Sequence, residues 1–194
     1  MALRPEIRGF DMQRMLSLLG SKDERLLDEL TRLFDEMVRF DDERLREESL
    51  AVLRRAVYEG GRWSDLDEEG EVHVMAAIVL AHHGQQMVTT ESNRWTMPAF
   101  WKYIEAVHEY VPEGVARNSL LRFGVGRPLF GRRISVEWSY YGFLRLAEVG
   151  ELLEALRRLP DGVVPEPGRE FHVSLLGWLE TIQQADRDLW FHCH

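Results

Sequence analysis

The stretch Ser21 to Met37, SKDERLLDELTRLFDEM, sets apolar side chains at Leu26, Leu27, Leu30, Leu33, Phe34 and Met37. That 3.6-residue spacing makes a helix with one apolar face and a face of acids and arginines. An isolated helix of this length is marginal in water, so the apolar face has to be laid on another element. Ser21 and Glu24 have the spacing of a capping box. The same period precedes and follows it. Asp11 can cap a helix carrying Met12, Met15, Leu16 and Leu19, closed by Gly20. A third helix, starting near Asp41 or Asp42, buries Leu45, Leu50, Leu53, Val57 and Tyr58 and stops at Gly60-Gly61.

Further along, Val72 to His83 reads as a buried helix stopped by Gly84, and Thr96 caps a helix with Pro98 in its first turn that ends before Pro112. Helices at Leu146 to Leu159 and Phe171 to Ala185 flank the turn-rich connector PDGVVPEPG. Three segments read differently. Glu6 to Phe10 alternates like a short strand, LLRFGVGRPLFGRRISVEWSYYGFL reads as turns plus one or two strands, chiefly Ile134 to Phe143, and Leu189 to Cys193 reads as a closing strand. The expected fold is therefore α+β: a small, mainly antiparallel sheet covered by about six or seven helices, in a single domain over residues 1–194.

Charge is unevenly distributed. The net charge is −9, and residues Asp23 to Glu71 hold seventeen acids against eight arginines, which accounts for all of it. The basic excess lies later, at Arg117, Arg122, Arg127, Arg132, Arg133 and Arg145. These arginines are expected to pair with the acidic helices of the same molecule or of a second copy. An acidic total without a basic recognition helix argues against nucleic-acid binding. The longest apolar run, Val74 to Ala81, is far short of the ~20 residues that span a bilayer. With one cysteine and no basic n-region ahead of an apolar stretch, the expected compartment is the cytoplasm, and no membrane partner is expected.

Several motifs invite a chemical reading and fail on spacing. The tail DRDLWFHCH puts His192 and His194 on one strand face and Cys193 on the other. That supplies two zinc ligands where three or four are usual. The strand reading places Leu189, Phe191 and Cys193 in the core and Trp190 with the histidines outward. The run DLDEEG begins like a calcium loop, but its twelfth position is Ala76 rather than a bidentate glutamate. Gly124-x-Gly126 is followed by Pro128 and a strand-like run, not by the helix a dinucleotide fingerprint needs. No metal and no cofactor is expected.

The order of GSKDERLLDEL, GEVHVMAAIVLAHHG, TESNRWTMPAFW, YYGFLRLAEVGELLEAL and LLGWLETIQQADRDLWFHCH resembles an uncharacterised bacterial domain-of-unknown-function family, distantly similar to the YfbM-like proteins. The resemblance implies a cytoplasmic bacterial α+β domain and assigns no functional residues.

The leading functional reading is a non-catalytic acidic interaction protein, comparable to an immunity protein, whose helical acids Asp35, Asp41, Asp42 and Glu43 attract a basic protein partner. The alternative is an enzyme, working on a small molecule or with a metal, whose pocket gathers His82, His83 and Glu91, with Trp95 in the same loop. A third is a homodimer joined through the aromatic strand.

Overall fold

The computed structural model describes residues 2–3, 5–37, 43–60, 79, 89–90, 95–127, 135–136 and 139–193, and its architecture follows from how their apolar side chains are covered. The strands are β1 (Ala2–Leu3), β2 (Pro5–Phe10), β3 (Thr89–Thr90), β4 (Trp95–Thr96), β5 (Ser135–Val136), β6 (Ser139–Leu144) and β7 (Asp188–Cys193). The helices among the described residues are α1 (Met12–Leu18), α2 (Glu24–Met37), α3 (Glu43–Glu59), α4 (Met97–His108), α5 (Val115–Val125), α6 (Leu146–Arg157) and α7 (Glu166–Gln184). The fold is α+β. The chain divides into two compact units, one made of Met1–Gly9, Met87–Arg127 and Trp138–His194, the other of Phe10–Gln86 and Pro128–Glu137.

In the first unit the strands lie in the order β3-β2-β7-β6. β2 and β3 are antiparallel, with Ile7 opposite Thr90. β6 and β7 are antiparallel too, with Leu144 opposite Leu189, Gly142 opposite Phe191 and Tyr140 opposite Cys193. The closing strand is thus present, but not with one wet face. Trp190 is only 3% exposed, and Leu189 and Phe191 are buried with it. The expectation that Trp190 faces outward is corrected: β7 is an inner strand buried on both faces, so its apolar run need not alternate. Gly142 lets the Phe191 ring lie flat across β6, since a Cβ there would overlap that ring. The Cys193 side chain and His194 lie outside the described residues.

Helices α4 to α7 cover this sheet with one aromatic-rich core. Phe171 sits edge-on to Phe100, Tyr103 and Trp178 at centroid distances of 5.2, 4.9 and 6.2 Å, and Phe123 stacks on Phe191 at 4.7 Å. Such pairs add about 0.5–1.5 kcal/mol each beyond area burial. Two sequence expectations are corrected here. Residues 120–125, read as part of a turn-and-strand stretch, belong to α5; Gly124 is a packing glycine, where a Cβ would come within 2.5 Å of the Trp101 ring. Likewise α7 begins at Glu166 rather than Phe171, with Pro167 in its first turn and Gly168 pressed against Tyr103.

The second unit contains α1, α2 and α3. Asp11 caps α1 as expected, its side chain accepting from the Arg14 N–H at 2.9 Å. The buried set is Met12, Met15 and Leu18, however, while Leu16 is 42% exposed. Met12 and Met15 are buried as expected, and Leu18 takes the place of Leu16 and Leu19. The capping box is also corrected. Asp23, not Ser21, caps α2 by accepting from the N–H groups of Arg25 and Leu26. The chain before it is tied to α3 instead, with Gly20 N–H donating to the Ala56 carbonyl and Lys22 N–H to that of Val57. Leu30 and Phe34 of α2 are buried, as are Val52, Leu53, Ala56 and Val57 of α3, which ends at Gly60 as predicted. Of the helix expected at 72–83, only Val79 is described; it is helical and buried.

Candidate functional site

The first unit carries an open groove of about 630 Å³. After α4 the chain turns through Tyr110, Val111 and Pro112, and Gly114, at φ +110°, caps the start of α5. That turn presents Tyr110, Glu113 and Val115 to the groove. The other side is the outer surface of α6, through Ala147, Gly150, Glu151, Glu154 and Arg158 just beyond its end, joined by Gln183 of α7. The location follows from helix geometry. On α6 the stripe Val149, Leu152, Leu153 and Leu156 is buried, which turns Ala147, Glu151 and Glu154 the other way. Tyr110 and Val115, 54% and 41% exposed, are large apolar groups left in contact with water.

Three carboxylates line this groove against one guanidinium. Glu113 pairs with Arg117 at 3.1 Å and Glu154 with Arg158 at 2.9 Å. Both join residues four apart; the Glu154–Arg158 pair is exposed and worth only about 0.3–0.5 kcal/mol, whereas Arg117 is largely covered and also donates to the Val111 carbonyl at 3.0 Å. Glu151 has no ion-pair partner among the described residues. The lining carries no histidine, cysteine or serine. Among the described residues no group of three or more His, Cys, Asp or Glu is placed to hold a metal ion.

Two polar constellations lie elsewhere in the same unit. The Tyr103 hydroxyl is 2.9 Å from His172 Nδ1 across α4 and α7. Burial pushes the Tyr103 phenol up and the His172 imidazole down, so Tyr103 donates and neutral His172 accepts. The second constellation is centred on Glu148. Its carboxylate accepts from Arg122 and Arg127 at 2.5 and 2.6 Å and from the Arg145 N–H at 2.7 Å. Arg127 also lies over the Phe143 ring, 4.1 Å from its centroid. Beside it, Asp188 accepts from the Leu146 N–H at 2.9 Å and pairs with Arg145 at 3.3 Å, satisfying the start of α6. Burial alone would raise the Glu148 carboxyl, but these donors hold it below its ordinary value. So Arg117, Arg122, Arg127 and Arg145 do pair inside the molecule, and among the described residues their partners are Glu113, Glu148 and Asp188 rather than acids of the first third; Arg132 and Arg133 lie outside the described residues.

The residues singled out in the sequence fare unevenly. Asp35 and Glu43 come together on Arg46: its guanidinium grips Asp35 through two hydrogen bonds of 2.8 and 2.9 Å and Glu43 through one of 3.0 Å. Their charge is therefore partly answered at the surface. Asp41, Asp42, His82, His83 and Glu91 lie outside the described residues. Trp95 is described through its backbone, in β4 opposite Leu3. The groove residues Tyr110, Glu113, Glu151 and Glu154 were not singled out. Glu151 and Glu154 read as an ordinary solvated helix face, and only the turn at Pro112 brings Tyr110 opposite them.

No curated protein and no solved structure matches this chain. The model of one family, Domain of unknown function (DUF7691), matches residues 6–194. Matched over nearly its whole length, the chain belongs to this family of unknown function.

Proposed function

We propose that the protein is a non-catalytic acidic interaction protein of a bacterial cytoplasm, comparable to an immunity protein, that binds a basic protein partner. The observation that supports this reading is that most described arginines are paired while several exposed acids are not, although Arg14, Lys22, Arg25, Arg54 and Lys102 also have no ion-pair partner among the described residues. Arg46, Arg117, Arg122, Arg127, Arg145, Arg157 and Arg158 all have carboxylates within 2.5–3.3 Å. The exposed carboxylates Glu24, Asp28, Glu47 and Glu151 have no ion-pair partner among the described residues. Of the cationic middle, Arg117, Arg122, Arg127 and Arg145 are thus occupied internally, and the chain as a whole carries a net charge of −9.

Such a field steers a basic partner and acts mostly on the association rate. Capture from native lysate at low salt should yield a basic protein, with association slowing as salt rises past the ~8 Å screening length of physiological ionic strength. Reversing Glu24, Asp28, Glu47 and Glu151 to lysine together should slow association by about tenfold or more. A neutral or acidic partner, or an association rate indifferent to salt and to these reversals, would refute the reading.

A further inference from the structure

Resting on that reading, we propose that the groove between the α4–α5 turn and α6 is the seat of the partner, and that its occupant is an extended basic segment in which arginine or lysine alternates with apolar residues. Charge selects the cations. Three glutamates face one arginine, Glu151 is unpaired among the described residues, and the exposed Glu113 carboxylate and the exposed Glu154–Arg158 pair can re-form around an incoming cation, while Arg117 stays fixed on the Val111 carbonyl. The arrangement suits several spaced cations better than one ion, because no three of these carboxylates are grouped as metal ligands. Apolar surface selects the rest of the segment. Tyr110 and Val115 stand open at one side, with Ala147 opposite. A long basic side chain lays its aliphatic stem on such surface while its head reaches a carboxylate, and the Tyr110 ring offers a cation–π face. At about 630 Å³ the groove is in the usual ~300–1,000 Å³ range of binding clefts.

The test uses the full chain and a fluorescein-labelled hexapeptide of alternating arginine and leucine, with binding followed by fluorescence anisotropy at low salt. Glu151→Gln and Tyr110→Ala should each weaken binding by about fivefold, with unchanged circular dichroism, because both side chains are exposed. Glu170→Gln, exposed on α7 and outside the groove lining, should bind like the wild type. A hexapeptide of alternating glutamate and leucine should not bind, and spermidine at equal cation concentration should displace the basic peptide only partly. Three results would overturn the assignment: equal binding by the Glu151 and Tyr110 variants, full displacement by spermidine, or no binding of the peptide at all. If a basic partner is nevertheless captured in a salt-dependent way and is lost on reversing Glu24 and Asp28, the acidic-interaction reading stands and the groove alone is refuted.

Discussion

Tyr103 and His172 meet between α4 and α7 with 2.9 Å between the phenol oxygen and Nδ1. Burial favours the neutral imidazole, which accepts at Nδ1 from the Tyr103 hydroxyl. The consequence for stability has a definite sign. Burial lowers the His172 pKa in the folded state below the ordinary 6.5 of the unfolded chain, so the unfolded state takes up the proton first. The contribution of this site is complete above pH 6.5, declines as pH falls below it, and levels off under the folded-state pKa. Urea midpoints measured from pH 8 to pH 5 should show this decline. His172→Asn should flatten it, whereas Tyr103→Phe should lower stability by about 1 kcal/mol and keep the pH dependence, because burial is its cause. An identical slope in wild type and His172→Asn would assign the decline to other groups.

At the scale of elements, glycines that look alike in the sequence have opposite roles. Gly124 lies inside α5 and Gly177 inside α7. In an open helix, replacing glycine by alanine gains about 1 kcal/mol. A Cβ at Gly177 meets nothing within 4 Å, so Gly177→Ala should raise the urea midpoint by an amount of that order. A Cβ at Gly124 would come within 2.5 Å of the Trp101 ring and 3.2 Å of Phe100, so Gly124→Ala should cost about 1–3 kcal/mol despite the better propensity. Equal shifts of the same sign would mean that the α4–α5 contact is looser than described. The α2 cap carries a related lesson. Ser21 has the spacing for a capping box, yet Asp23 makes the bonds because Gly20 and Lys22 are held by α3 carbonyls. Residue spacing proposes a cap, and the path of the incoming chain chooses between candidates.

At the scale of the molecule, the Glu148 node governs how charge is accommodated. It joins the last turn of α5, Arg127 two residues beyond it, and the start of α6 through one largely buried carboxylate. Glu148→Gln keeps the shape but leaves Arg122 and Arg127 without their acid, and should cost about 2–3 kcal/mol. The carboxyl is held below its ordinary 4.5, so its contribution is present above that pH and is lost as pH falls toward the folded-state value. Acid unfolding of the wild type should therefore show two stages, one beginning near pH 6.5 from His172 and one near pH 4.5 from Glu148. In Glu148→Gln the lower stage should shrink. A variant with the wild-type acid profile would show that this carboxylate is not what acid unfolding titrates.

By itself the sequence determined the class of the fold and most of its elements, because periodicity and end signals act over a few residues. The apolar faces of α2 and α3, the Asp11 cap, the stop at Gly60, and the strands near Pro5 and Leu189 are all local. Tertiary structure decided what depends on distant groups. Gly124 sits in a helix at the point where only a glycine leaves room for the Trp101 ring, and Trp190 is buried because β7 is an inner strand. The acids of the interaction face divide in the same way. Asp35 and Glu43 are answered by Arg46, while Glu151 is left open opposite Tyr110. Their spacing in the chain could not sort them, since a carboxylate's availability depends on which cation the fold brings within about 4 Å.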